Sequence, residues 1–170
     1  MAATIIAVLT SCSSNADSSA PTKLPPTNSV SPTPVRPPTP ESEVEAAVRT
    51  YFKVANEAVK SGDTRRLITL SGPSCPCRAL VQDIETVYAN GRADTAGFDV
   101  RSVIVQEIQG DTAAAEVQYV VPAYTVLDLE GRITESVPTY EGHDYNSLVK
   151  SGGSWLLENT FNMNASAVSH

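Results

Sequence analysis

The sequence predicts an α+β domain in which three N-terminal helices pack on a curved antiparallel sheet (a cone or roll), preceded by a disordered linker. Apolar residues recur at helical spacing between residue 41 and residue 90. After Gly97 the apolar spacing changes to two, as in strands that bury one face. Helices followed by strands favour this class, because the apolar helix faces need the face of a sheet to cover them. Roughly 130 of the residues can fold, which is enough for one domain.

The first helix is predicted to begin at Thr39, whose side chain can cap it ahead of Pro40 and the acidic Glu41. Lys60 and Gly62 are typical of a helix end. Between them one apolar face runs along the helix. It consists of Val44, Val48, Tyr51, Phe52, Ala55, Ala58 and Val59.

Two further helices are predicted before the sheet. Asp63 can cap a short helix over residues 64–70. A third helix follows the break at residues 72–77 and should end at Asn90-Gly91. Its apolar face consists of Leu80, Val81, Ile84, Val87 and Tyr88.

The remaining chain predicts an antiparallel meander of about four long strands with shorter extended runs. The alternation slips near Ser102 and Val103, which indicates a bulge. Pro122 interrupts the ladder and predicts a bend. The extended runs cover residues 98–108, 113–121, 124–129, 133–137, 140–149 and 155–161.

A short apolar run near the N-terminus ends at Leu9-Thr10-Ser11-Cys12. The run has the length of a signal-peptide core and is too short to span a bilayer. This pattern resembles the lipobox of bacterial lipoproteins, in which an apolar residue and two small residues precede a lipidated cysteine. The resemblance implies a signal peptide over residues 1–12, palmitate at Cys12 and a lipid anchor on the extracytoplasmic face of the cell membrane. No basic residue precedes Lys23, unlike the usual signal, and the alternative is a frayed apolar terminus with a free thiol.

A linker rich in Pro, Ser and Thr covers residues 13–40. It holds eight of the twelve prolines and no aromatic residue. Such a segment buries too little apolar surface to offset its ordering entropy, so we expect disorder. An extended spacer would hold a folded head, residues 41–165, away from the membrane.

Charge and cysteine content limit the classes of function. The net charge is -7 and no basic run exists, which excludes nucleic acid as an expected partner. Of the three cysteines, Cys12 would carry lipid, leaving Cys75 and Cys77 as an even pair in an oxidising compartment. We expect a structural disulfide there. Redox activity, reduced thiols and metal binding are the open alternatives.

The predicted head resembles the nuclear transport factor 2-like superfamily, also called cystatin-like or ketosteroid isomerase-like. The resemblance lies in the first helix through Tyr51-Phe52, the break at Ser61-Gly62-Asp63 and the final strand at Trp155-Leu156-Leu157. The whole layout is similar to actinobacterial lipoproteins of unknown function. That narrower resemblance implies no known activity. The superfamily resemblance implies a bent sheet around the first helix and a hollow for small apolar ligands. Candidates for the lining of the hollow are Tyr51, Tyr119, Tyr124, Tyr140, Tyr145 and Trp155, but the plainer interpretation, which we favour, is that these rings fill the core.

No residue is assigned a catalytic role. His143-Asp144 follows Gly142, which favours a solvated turn, and neighbouring strand residues point to opposite faces. No metal-ligand spacing and no Gly-rich phosphate loop is present, so neither a metal nor a cofactor is expected.

These observations leave three hypotheses about function. The first is a membrane-anchored extracytoplasmic lipoprotein with a non-catalytic head that binds an envelope protein, a wall polymer or a small apolar ligand. The second is an isomerase or dehydratase that works inside the cone. The third is a thiol-disulfide role for Cys75 and Cys77.

Overall fold

The computed structural model describes residues 37–164, and its α+β architecture confirms the predicted fold class. Three α-helices precede seven strands and pack on a curved antiparallel sheet. The predicted signal peptide, the lipid site at Cys12 and nearly all of the linker lie outside the described residues.

Helix α1, Pro40–Ser61, begins and ends where its capping residues predict. The Thr39 Oγ1 accepts a hydrogen bond from the Ser42 N–H at 3.3 Å. At the other end Gly62 is left-handed, with a φ of 77°, and its N–H donates to the Ala58 carbonyl at 2.8 Å. The buried face of α1 packs on the large sheet described below.

The next helices match the predicted positions with small differences at their ends. Helix α2, Arg65–Thr69, starts after Thr64 rather than after the predicted cap Asp63. The Asp63 Oδ1 nevertheless accepts the Arg65 N–H at 3.2 Å, so it satisfies a donor of the first turn. A 3₁₀ turn, Pro76–Arg78, then leads directly into helix α3, Ala79–Asn90.

The strands form two groups. The strands are β1 Gly91–Asp94, β2 Asp99–Gln109, β3 Thr112–Val121, β4 Tyr124–Asp128, β5 Ile133–Val137, β6 Tyr140–Ser151 and β7 Ser154–Asn162. The large group has the order β2-β3-β6-β7 and the small group has the order β1-β4-β5. All pairings within them are antiparallel.

The predicted simple meander is wrong in its order, because β3 pairs with β6 and not with β4. The chain leaves the large sheet at Pro122, where a bend was predicted, and β4 joins the small sheet. Strand β1 was not predicted at all. It begins at Gly91, directly after α3, and its partner is β4.

The predicted bulge near Ser102 is confirmed by a register shift between Val100 and Ser102 in the pairing of β2 with β3. A second shift lies between Val105 and Glu107. Bulges bend a strand and increase its twist, which helps the sheet curve around α1. None of the helices within residues 37–164 combines the length and hydropathy needed to cross a membrane.

Candidate functional site

A cavity of about 410 Å³ lies between α3, the end of α1 and strands β1, β4 and β5. Its volume falls within the range of small-molecule pockets. Most of the wall is aliphatic or aromatic. The lining residues are Val59, Leu80, Asp83, Ile84, Thr86, Val87, Tyr88, Ala93, Thr95, Gly97, Phe98, Val121, Tyr124, Val126, Glu135 and Tyr140.

A contact between α3 and the end of α1 fixes one wall of the cavity. The Tyr88 hydroxyl donates a hydrogen bond to the Val59 carbonyl at 3.0 Å. The Tyr88 ring also lies over Gly62, where a Cβ atom would come within 2.5 Å of Cδ1. Gly62 therefore both ends α1 and lets the ring approach its backbone.

The segment that joins β1 to β2 is held on α1 by Asn56. Its side-chain amide donates to the Phe98 carbonyl at 2.9 Å, and its Oδ1 accepts the Phe98 N–H at 2.6 Å. Gly97, with a φ of 84°, passes so close that a Cβ atom would lie 2.3 Å from that Oδ1. This contact sets the position of Phe98, which lines the cavity.

A cluster of phenol groups surrounds Asp144 on the inner face of β6. The Tyr119 hydroxyl donates a hydrogen bond to Asp144 Oδ2 at 3.0 Å. Burial raises the pKa of Asp144, and the bond from Tyr119 and the nearby His143 only partly offset this effect. Burial is the main cause of a raised pKa in the neighbouring tyrosines, and the charge of Asp144 raises their pKa further. The pKa of Tyr51 reaches about 12, and those of Tyr119 and Tyr140 also increase.

An aromatic cluster connects Tyr119, which bonds Asp144, with Phe98, which lines the cavity. The rings of Phe52, Phe98 and Tyr119 lie 5.4 to 5.6 Å apart between centroids, within the range of favourable aromatic contacts. Tyr119 is only 8% exposed. Asp144 is not among the residues that line the cavity, although Tyr140 lines it and lies close enough to feel the carboxylate.

Comparisons with known proteins identify the fold. No protein-family model matches the sequence, and no curated protein does. A solved candidate aromatic ring hydroxylase from Novosphingobium aromaticivorans is similar at a TM-score of 0.52 and 12% identity, over 74% of this chain and 90% of that one. The intermembrane space region of the chloroplast protein ARC6 is similar at 0.51 and 12%, over 74% and 98%. A candidate scytalone dehydratase from N. aromaticivorans is similar at 0.50 and 12%, over 71% and 84%.

The fold is cystatin-like. The helix-on-curved-sheet arrangement of residues 37–164 is the basis of this assignment, and it agrees with the predicted fold. Identities of 12% show the fold alone, so the activities named for these proteins are statements about those proteins.

The six expected cavity residues, five tyrosines and one tryptophan, lie in three places. Tyr124 and Tyr140 line the cavity, whereas Tyr51, Tyr119 and Trp155 are buried in the core. Trp155 also lies under Lys150, whose Nζ is 5.4 Å from the ring centroid. Tyr145 is paired in register with the exposed Phe161 on the outer face of the sheet.

The expectation that His143-Asp144 forms a solvated turn is wrong, because both residues lie within strand β6. They point to opposite faces, as strand geometry requires. His143 Nε2 lies 3.2 Å from Glu116 Oε2, while Asp144 faces Tyr119. Gly142 misled the prediction. A Cβ atom there would lie 2.1 Å from the Tyr119 ring, so the glycine makes room for the tyrosine rather than for a bend.

Cys75 and Cys77 are joined in a disulfide at the entrance to α3, with their Cα atoms 5.1 Å apart. Both residues are buried. Cys75 is the cap of the 3₁₀ turn and Pro76 is its first residue, a position that suits proline. Within residues 37–164, no cluster of three His, Cys, Asp or Glu side chains could hold a metal ion.

Several residues that shape the site were not singled out from the sequence. Val59 and Val87 were assigned to helix faces, and nothing distinguished a cavity wall from a packed core. Asn56 lies within α1, and the sequence around it does not indicate that its partner is Phe98, 42 positions away. A polar residue beside the apolar face of a helix was the available clue.

Proposed function

We propose that this protein is a lipid-anchored, extracytoplasmic lipoprotein whose cystatin-like head binds a small, largely apolar molecule. The observation that carries the proposal is the cavity of about 410 Å³. Aliphatic and aromatic side chains form most of its wall, and a few polar groups stand among them, which is the usual composition of a small-molecule site. Thr95, Tyr124 and Tyr140 supply hydroxyl groups that could orient a ligand.

Support for the anchor comes from the sequence. Cys12 follows the apolar run and the small residues Thr10 and Ser11, and a Pro-rich segment separates it from α1. Lipoprotein maturation supplies several acyl chains, and multiple chains hold a protein at a membrane far more firmly than one. The spacer would present the ligand-binding head outside the bilayer.

Binding without catalysis is favoured by the position of Asp144. This carboxylate has a pKa raised by burial, but it accepts a hydrogen bond from Tyr119 and does not line the cavity. A general base must lie within hydrogen-bonding reach of the proton that it removes. The Tyr119 hydroxyl instead donates to Asp144, and the Tyr119 ring packs against Phe98.

An isomerase or dehydratase is the second candidate, and the same Asp144 is the observation in its favour. A buried carboxyl group beside the phenols of Tyr51, Tyr119 and Tyr140 could exchange a proton with a ligand that displaced Tyr119. If the protein is an enzyme of this kind, Asp144→Asn should abolish turnover of any substrate. A substrate turned over equally fast by Asp144→Asn would remove this candidate.

A thiol-disulfide role is not favoured by the described residues. Cys75 and Cys77 are bonded to each other, and their exposed fractions are 4% and 6%. A redox-active pair needs one sulfur that a partner can reach.

The test of ligand binding is a change that fills the cavity. Ala93 lies in the cavity wall on β1, so Ala93→Trp would place an indole ring in the space that a ligand needs. Titration with an environment-sensitive apolar dye should give saturable binding to the wild-type full chain and at least about tenfold weaker binding to Ala93→Trp. Ala89→Trp is the matched control, because Ala89 is exposed on α3 and does not line the cavity. Equal binding by both variants would contradict the proposal.

The test of the anchor is separate. In cells, wild-type protein should label with palmitate and sediment with membranes, and its processing should be blocked by globomycin. Cys12→Ala should lose the label and the membrane association. Equal membrane association of Cys12→Ala would show that the anchor is assigned to the wrong place.

A further inference from the structure

The mouth of the cavity carries negative charge only. Among its lining residues, which all lie in the described part of the chain, Asp83 of α3 and Glu135 of β5 are the two with a formal charge. Both side chains are exposed, so their carboxylates remain hydrated at the rim rather than buried with the apolar wall. The cavity therefore combines an apolar interior with an acidic entrance.

The two carboxylates act on the same aromatic side chain. Burial raises the pKa of Tyr124, and the charges of Glu135 and Asp83 raise it further. Burial is also the main cause of the raised pKa of Tyr140, and the phenol of Tyr124 raises it further. Charges from two separate elements, α3 and β5, thus act on Tyr124, which lines the cavity together with Tyr140.

No basic side chain within residues 37–164 forms an ion pair with Asp83 or Glu135. Among the lining tyrosines of this region, only Tyr88 feels a basic charge, that of Arg92, which opposes the effect of burial on its pKa. No ion pair among these described residues therefore neutralises the acidic entrance. The net charge of -7 adds a general attraction for cations.

We propose that the ligand of this cavity is a cationic amphiphile, with its apolar body inside and an amine or quaternary ammonium group at the mouth. The cation would lie between Asp83 and Glu135 and against the rings of Tyr124 and Tyr140. This inference depends on the proposed function, because it names the class of molecule that the same cavity binds.

The exposed position of the carboxylates sets the size of the effect. A single ion pair in contact with water contributes little, and a cation over an exposed aromatic ring contributes a similar small amount. Two carboxylates and two rings together should give a preference of about tenfold for a cation over a neutral molecule of the same shape. Because these charges are screened by salt, the preference should shrink at about 1 M salt.

The experiment compares three probes that differ only in the head group: phenylhexylamine, phenylhexanol and phenylhexanoate. Binding to the full chain is measured by calorimetry at neutral pH and low salt. The test variant combines Asp83→Asn with Glu135→Gln. The matched control combines Glu107→Gln with Glu141→Gln, which removes the same charge from exposed positions outside the cavity lining.

We expect the amine to bind about tenfold more tightly than the alcohol, and the carboxylate to bind most weakly. In the Asp83→Asn, Glu135→Gln variant, the affinity for the amine should fall to that for the alcohol, while the alcohol binds as before. The control variant should keep most of the preference. Equal binding of all three probes to wild type would overturn the inference and leave the proposed function standing. A preference for the amine over the alcohol that both variants keep would have the same consequence. Failure of all three to bind would overturn both.

Discussion

The hydroxyl of Tyr119 reaches past Gly142 to donate a 3.0 Å hydrogen bond to Asp144. Tyr119 of β3 is paired in register with Gly142 of β6, and Asp144 lies two positions further along that strand. A side chain at position 142 would occupy the space of the ring. The glycine, the phenol and the carboxylate therefore form one unit that closes the core beside the cavity.

Tyr119→Phe should destabilise the head by about 1 to 2 kcal/mol near neutral pH, because a partly buried carboxylate loses its hydrogen-bond donor. The same change should raise the pKa of Asp144 further, since the bond from Tyr119 lowers it. Urea unfolding measures the first effect, and carboxyl-carbon NMR of Asp144 measures the second. Tyr145→Phe, on the outer face, is the control. An unchanged Asp144 pKa in Tyr119→Phe would show that the bond does not form in solution.

Asp144→Asn should change how stability depends on pH. Because burial raises the folded-state pKa of Asp144, the folded state binds this proton more tightly than the unfolded chain does. The resulting stability is fully present below the unfolded Asp pKa of about 3.9, and it is lost as the pH rises through the raised folded pKa. Wild type should therefore lose stability relative to Asp144→Asn as the pH rises from the unfolded Asp pKa of about 3.9 through the raised folded-state pKa, as followed by urea unfolding.

Asp63 supplies a control in which stability changes with pH in the opposite direction. Hydrogen bonds from Arg65 lower the pKa of Asp63 to about 2, so its contribution is present above the unfolded pKa and is lost as the pH falls through about 2. Wild type should lose stability relative to Asp63→Asn on acidification. If the curves for Asp144→Asn and wild type stayed parallel, Asp144 would not be held in a buried site.

Gly142→Ala should cost about 2 kcal/mol or more, because the new Cβ atom would lie 2.1 Å from Cζ of Tyr119. The cost arises from the clash and not from backbone strain, since Gly142 does not have a positive φ. In a Tyr119→Ala background the same change should cost less than about 0.5 kcal/mol. Equal costs in the two backgrounds, measured as free energies of unfolding, would rule out this explanation of Gly142.

Asn56→Ala should destabilise the head by about 1 to 3 kcal/mol, because it leaves the N–H and carbonyl of Phe98 without their partner. It should also weaken binding of a neutral apolar probe, since Phe98 forms part of the cavity wall. The control Thr50→Ala removes a hydroxyl that donates to the Ala46 carbonyl on the exposed side of α1, and it should cost less than about 0.5 kcal/mol. Equal losses in the two variants would mean that the Asn56 contact does not position the wall.

Local signals were sufficient for the helix ends. Thr39 and Gly62 act within one turn of their own position, so the residue types alone predict the limits of α1. The bend at Pro122 was predictable for a similar reason, because proline cannot donate to the ladder. Strand β1 was not predictable in this way. Its four residues include one apolar side chain, Ala93, and its stability comes from pairing with β4, more than thirty positions away.

The site was harder to predict than the fold, since a cavity depends on how far apart helices and strands are held. Tyr124 and Tyr119 are both strand tyrosines, yet the first lines the cavity and the second is packed against Phe52 and Phe98. Alternation along a strand distinguishes the inner face from the outer one but does not distinguish a filled interior from a hollow one. Contacts between distant parts of the chain, such as those of Tyr88 with Val59 and Gly62, hold the cavity wall and leave no local signal in the sequence.

The most direct test of the ligand-binding head is an NMR titration of the full chain with the neutral probe phenylhexanol. If the cavity binds the probe, the amide and methyl shifts should be saturable and confined to the cavity wall, at residues such as Ile84, Ala93 and Val126. Shifts confined instead to the exposed outer face, at Ile104 and Phe161, or no saturable shifts at all, would contradict binding in the cavity.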